Sequence, residues 1–150
     1  TSLPQGLPGA RVRILAPSGP IVLYALHLTK ATPDGQDASV SYAVQRNVAG
    51  EVRAAVGREQ EPVIVAGDLN LVDRQDAFRM FSAGLRDAMR ADAWAGPTSA
   101  KLSRAWKALL LRIDHVLVTP GLCARDPERF VAPSSDHRGV AVTVGPCDVG

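Results

Sequence analysis

A chain of 150 residues, 46% hydrophobic and 21% charged, is long enough for one domain with a substantial core. Its formal charge of +2 is scattered along the chain, so charge alone does not argue for a protein dedicated to the nucleic-acid backbone. No apolar run is long enough to cross a bilayer, and with only 5% aromatics the core has to be built from Val, Leu and Ala.

Residues 1–10 are rich in Pro and Gly and lack the apolar stretch of a signal peptide, so they are expected to be flexible. The first Met is Met80, which points to a processed product or an expressed fragment, with any targeting sequence upstream. Residues 11–16 (RVRILA) and 21–28 (IVLYALHL) are β-branched and apolar, and Pro17-Ser18-Gly19-Pro20 between them signals a turn, which predicts a hairpin. A loop over 29–37 contains Pro33-Asp34-Gly35. A long helix over 38–58 carries Val40, Val44, Val48, Val52 and Val56, a stripe expected to pack on a sheet.

Residues 62–66 (PVIVA) are wholly apolar, as in a strand covered on both faces, and run into Gly67-Asp68-Leu69-Asn70. A second helix is expected over 74–83 with Gly84 ending it, then a short helical turn within 85–94 and a loop over 95–103. Residues 112–118 (RIDHVLV) and 138–144 (RGVAVTV) read as the last strands, the latter entered from Pro133-Ser134-Ser135-Asp136-His137. Strands interleaved with helices, without repeats, give one domain of α/β class. Cys123 and Cys147 are open to two readings: buried free thiols, or a disulfide tying the C-terminal tail to the loop after the Asp114 strand, which implies an oxidising compartment.

Three segments share a chemical feature: strand ends meeting polar residues in GDLN, RIDH and SSDH. Each alone reads equally as a turn, an exposed pair or a polar loop end. Together, at strand ends that converge in space, their carboxylates and amide suit a hard cation such as Mg²⁺, and a His beside an Asp suits proton transfer. That combination fits metal-assisted attack of water on phosphorus.

The ordered set His27-Leu28, Gly67-Asp68-Leu69-Asn70, Arg112-Ile113-Asp114-His115 and Ser135-Asp136-His137 resembles the endonuclease/exonuclease/phosphatase superfamily, over residues 11–144. The resemblance implies half of a four-layer α/β sandwich: one mostly antiparallel mixed sheet with helices on one face. It implies Mg²⁺, with Mn²⁺ as the alternative. By motif, Asp68 orients or deprotonates the attacking water, and Asn70 binds phosphate and holds Asp68. Asp136 joins Asp68 at the metal. His137 meets the phosphoryl oxygen, Asp114 fixes the tautomer of His137, and His27 assists the leaving group. His115 carries no such role; by strand alternation it faces away from Asp114 and is structural.

Family domains are about twice this length, and the Asn and metal-binding Glu of their first half have no counterpart here. The resemblance therefore implies a chain holding half a metal site. It further implies an exposed apolar sheet face that pairs with the missing N-terminal half or with a second copy. Residues 78–91, Gly96-Pro97-Thr98, RIDHVLV and SSDHRGVAV resemble a bacterial branch that includes glycopeptide-resistance proteins, often attached to membrane spans and acting outside the cytoplasm. That implies a phosphorylated small-molecule or lipid substrate. Nucleic acid is the alternative, disfavoured by few aromatics and a loose basic run over 101–107. A catalytically silent module is the third reading. Residues 105–111 (AWKALLL) are either core or a lipid contact.

Overall fold

The computed structural model describes residues 3, 7–30, 38–90, 111–131, 133–135 and 137–147. The elements in chain order are β1 (Gly9–Ala16), β2 (Gly19–His27), α1 (Ala38–Val56), β3 (Val63–Asp68), α2 (Asp76–Ser82), β4 (Arg86–Asp87), a 3-10 turn (Ala88–Arg90), β5 (Asp114–Val118), β6 (Leu122–Val131) and β7 (Arg138–Pro146). Five strands form one sheet in the order β1-β2-β3-β5-β4. Only β2 and β3 run parallel, joined through α1; the other neighbours are antiparallel. The mixed, mostly antiparallel sheet is thus as expected.

Both helices lie on one face. Val22, Tyr24 and Leu26 of β2, Val63 and Val65 of β3 and Leu117 of β5 pack with Ala49, Val52, Ala77, Phe78 and Phe81 in a single buried cluster. The valine stripe is only partly right. Val52 is fully buried and Val48 and Val56 are half-buried, but Val44 is 43% exposed. A spacing of four residues overshoots one helical turn and drifts about 40° per repeat. The buried line is therefore Ser41, Gln45, Ala49, Val52 and Ala55.

β1 is an edge strand with charged side chains on the helix-bearing face. Arg11 donates through Nε and Nη2 to both carboxylate oxygens of Glu59, at 2.8 and 2.7 Å, and Tyr24 donates its hydroxyl to Glu59 at 2.5 Å. The Arg11 cation, first, and the Tyr24 hydroxyl hold Glu59 below its ordinary range, against a desolvation effect that raises it. These contacts pin the edge to the connection between α1 and β3.

The remaining strands depart from expectation. The helical turn predicted within 85–94 begins as β4 and continues as the 3-10 turn, and β5 starts at Asp114 rather than Arg112. Residues 138–144 do form a strand, but β7 pairs with β6 in a separate two-stranded ribbon rather than in the main sheet. β6 was not foreseen. Its Pro127 and left-handed Asp126 sit at a bulge between Arg125 and Glu128 and mask the alternation. The ribbon packs Val140, Val142 and Val144 against Val116 and Val118 on the face away from the helices. Cys123 and Cys147 form a disulfide, which decides between the two readings; Cys123 lies on β6 itself.

Candidate active site at three converging strand ends

The strand register sets the site. Across β2, β3 and β5, His27 lies opposite Asp68, and Asp68 lies opposite Asp114. Paired residues of neighbouring strands share a face, so the three side chains form one row at one edge of the sheet. Gly67 is what lets the strands come together there. Its φ is +139°, and a Cβ would lie 1.9 Å from the Leu26 carbonyl oxygen, so no larger residue fits before Asp68.

Asp68 is held from behind. Its Oδ1 accepts the backbone N–H of Asn70 at 2.9 Å, a tight turn made with Asn70 at φ +48°. The Leu28 N–H donates to the Asp68 carbonyl at 2.9 Å, and the Asn70 side-chain amide donates to the Leu28 carbonyl at 2.7 Å. Asn70 thus holds Asp68 through its main chain, while its amide nitrogen ties the β2 end to the β3 end. The other oxygen, Asp68 Oδ2, faces two imidazoles: His27 Nε2 at 3.6 Å and His137 Nε2 at 3.9 Å.

His137 arrives from the start of β7. Its N–H donates to the Ser135 hydroxyl at 3.0 Å, after a left-handed Ser134. Its Nδ1 lies 3.0 and 3.2 Å from the Asp114 carboxylate oxygens. A carboxylate only accepts, so Nδ1 carries the proton and Nε2 is left to face Asp68 and the site. Side-chain exposures of 17% for Asp68, 15% for Asp114 and 23% for His137, against 75% for His27, describe a partly enclosed centre with one open flank.

His115 is turned the other way, as alternation predicts. It is fully buried, its ring lies against Phe78, and its Nε2 donates to the Leu71 carbonyl at 2.8 Å. Burial first, and then the Arg112 cation, push its pKa down to about 4. Arg112 itself, quoted in the motif without a role, is buried and pairs with Asp87 at 2.6 Å. Arg90 joins Asp73 at 2.5 Å in the same network, which clamps the loop after Asn70 and the β4 end to the start of β5. A second contributor missed in the sequence is Gln45 of α1, whose side chain bonds the Thr29 and Asn70 carbonyls. Its one sequence signal is its place in line with Ala49 and Val52. Asp136 lies outside the described residues, as do Gly96-Pro97-Thr98, the basic run and residues 105–110 of the apolar segment.

Among the described residues Asp68, Asp114 and His137 each offer a ligand atom within 4.8 Å of the others. Carboxylate oxygens match the preference of a hard divalent cation, but such ions take about six ligands and Asp114 is already committed to His137. The donor set fits a metal in part.

Fold and site together define the DNase I-like α/β class: a mixed sheet with Asp, Asn and His at the strand ends. The chain belongs to the Endonuclease/Exonuclease/phosphatase family, whose model matches residues 4–137. Members of that family are hydrolytic enzymes that generally use divalent metals. The chain is similar in structure to an endonuclease/exonuclease/phosphatase of Beutenbergia cavernae DSM 12333, at 25% identity and TM-score 0.63, covering 91% of this chain and 38% of that one. It is also similar to the 3'-5' exonuclease NExo of Neisseria meningitidis, at 20% identity and TM-score 0.64, covering 92% and 68%. A conserved protein of Enterococcus faecalis V583 aligns at 17% identity and TM-score 0.65, covering 85% and 50%. The chain therefore spans only 50% and 38% of the Enterococcus and Beutenbergia proteins. No curated protein sequence matches it.

Proposed function

We propose that the full-length protein is a Mg²⁺-dependent phosphoester hydrolase, with Mn²⁺ as an alternative metal, acting on small-molecule or lipid-linked phosphoesters. The observation that carries this reading is the single row of His27, Asp68 and Asp114, closed by His137 against both carboxylates. Asp68 Oδ2 orients and deprotonates a water molecule, a role supported by the hold of Asn70 on its partner oxygen. His137, held by Asp114, turns Nε2 toward the same space and stabilises charge on a phosphoryl oxygen when protonated. His27, on the open flank, assists the leaving group. Asn70 adds phosphate contact to its hold on Asp68.

A bound divalent cation would neutralise charge on the phosphate. Asp68 and Asp136 would hold it, with Asp114 and His137 in reach, and ligands from outside this chain would complete the shell. Those ligands arrive with a partner for the open sheet face. Val12 and Ile14 of β1 are 45% and 38% exposed and share the face of Leu23 and Ile21, opposite the helices. The missing N-terminal half, or a second copy, covers this face. The Cys123–Cys147 disulfide supports an oxidising compartment.

Hydrolysis by the full-length protein of DNA, read as strand cleavage, and of inositol phosphates and prenyl pyrophosphates, read as phosphate release, with and without Mg²⁺, tests the proposal. Turnover of one of the non-nucleic substrates that needs Mg²⁺ and falls on the order of 10²- to 10⁴-fold in Asp68→Asn is expected. Turnover of DNA alone would replace the substrate class with nucleic acid. Inactivity on all three, with Asp68→Asn changing nothing, would leave a silent module.

A further inference from the structure

We infer that Gln45 is a positioning residue for this site: from the buried face of α1 it sets the turn that aims Asp68. The inference rests on the hydrolase reading proposed above. Gln45 is 3% exposed, on a helix face otherwise made of Ala and Val apart from Ser41. A buried primary amide is costly unless its hydrogens find acceptors. Here Nε2 donates to the Thr29 carbonyl and the Asn70 carbonyl, each at 3.1 Å, so both amide hydrogens are used. The amide orientation is fixed by chemistry: both neighbours only accept, and a flipped amide would set oxygen against two carbonyl oxygens. Its Oε1 is buried without a hydrogen bond among the described residues. An apolar residue would avoid that cost, so what the amide contributes here lies in the two carbonyls its nitrogen holds.

What it holds is the active edge. The Thr29 carbonyl follows the β2 end that carries His27, and the Asn70 carbonyl closes the turn that carries Asp68. Asn70 is not glycine yet sits at φ +48°, a conformation that needs outside support. Three contacts supply it: its N–H to Asp68 Oδ1, its side chain to the Leu28 carbonyl, and its own carbonyl to Gln45. Only the last reaches into the helix layer. The Leu69 N–H to the Ile113 carbonyl and the Leu71 carbonyl to His115 hold the flanks of the turn, but without Gln45 the Asn70 carbonyl itself loses its partner, and the direction of Asp68 Oδ2 toward His27 and His137 loosens. The effect falls on the chemical step rather than on substrate affinity, because Gln45 lies beneath the turn and reaches the site only through the main-chain carbonyls of Thr29 and Asn70, while the Asn70 side chain keeps its own bond to Leu28.

The test compares Gln45→Met, which keeps length and removes both donors, with Val52→Ala on the same buried face, in the full-length protein. With bis(p-nitrophenyl) phosphate and Mg²⁺, Gln45→Met is expected to lower kcat on the order of 10- to 100-fold while KM stays within about twofold. Val52→Ala, equally or more destabilising by melting temperature, should keep kcat. Amide exchange of Asn70 should quicken about tenfold in Gln45→Met and stay unchanged in Val52→Ala. Wild-type kcat in Gln45→Met, or an equal kcat loss in Val52→Ala, overturns the role of Gln45 and leaves the hydrolase reading standing. A wild-type protein inactive on bis(p-nitrophenyl) phosphate and on the substrate panel above sinks the hydrolase reading. In that case an unaltered Asn70 exchange rate in Gln45→Met still refutes the positioning, and a faster one upholds it.

Discussion

Removing the disulfide measures how far the β6–β7 ribbon depends on its covalent end. Cys123 and Cys147 are 24 residues apart in sequence, and the bond closes a loop of that size around an antiparallel pair. Loop closure of this length removes entropy from the unfolded chain that amounts to about 3 kcal/mol at 25 °C. For a domain of this size that corresponds to a fall in melting temperature of about 10 °C. The contacts around the bond do not replace it: the Cys147 N–H donates to the Gly121 carbonyl at 2.9 Å, and Arg86 reaches the Cys147 sulfur at 3.0 Å, both at a partly exposed end. The measurement is thermal unfolding by circular dichroism of full-length protein with and without a phosphine reductant. A Cys123→Ser, Cys147→Ser double variant serves as the control that the reductant leaves unmoved. A shift below about 2 °C on full reduction would refute the reasoning, since the ribbon would then be held by packing on Val116 and Val118 alone.

Two further outcomes follow from single residues. Gly67→Ala should destabilise by roughly 3 kcal/mol or more and abolish turnover, because neither the Leu26 carbonyl nor the strand can move away from the new Cβ; a soluble, active Gly67→Ala protein in urea unfolding contradicts this. His115 titrates near 4 when folded and from 6.5 as its ordinary value, so the unfolded chain binds the proton more readily between those limits. Its share of stability is complete above pH 6.5 and declines as pH falls toward 4, by about 3 kcal/mol in all. His115→Gln, which retains a donor for the Leu71 carbonyl, should flatten that part of the wild-type profile; identical profiles would show that the ring is not held neutral.

How much was legible beforehand depended on whether a residue's chemistry was visible without its neighbours. Asp68, Asp114 and His137 were readable because strand ends put unusual polar groups beside apolar runs, and chain order supplied their grouping. The turn of His115 away from Asp114 followed from alternation alone. β6 was hidden, since LCARDPERFV mixes charges with a proline and the bulge that accommodates them is a property of the pairing. Residues 86–87 make a strand only because Val118 and Leu117 lie across from them. Gln45 was invisible for the opposite reason: a glutamine in a helix is ordinarily solvated, and only the carbonyls brought to it by β2 and β3 give it a use. The state of the two cysteines was beyond reach until the ribbon brought their Cα atoms to 4.7 Å.

The central claim is that strand ends distant in sequence form one cation-binding, phosphate-handling centre, and the chain's three histidines report on it directly. In histidine-detected NMR of the full-length protein, substoichiometric Mn²⁺ should broaden the ring signals of His137 and His27 well before that of His115, whose ring lies on the helix side of the sheet. Asp68→Asn should erase the difference. Parallel loss of all three signals, or loss of His115 first, contradicts a metal site at this edge of the sheet.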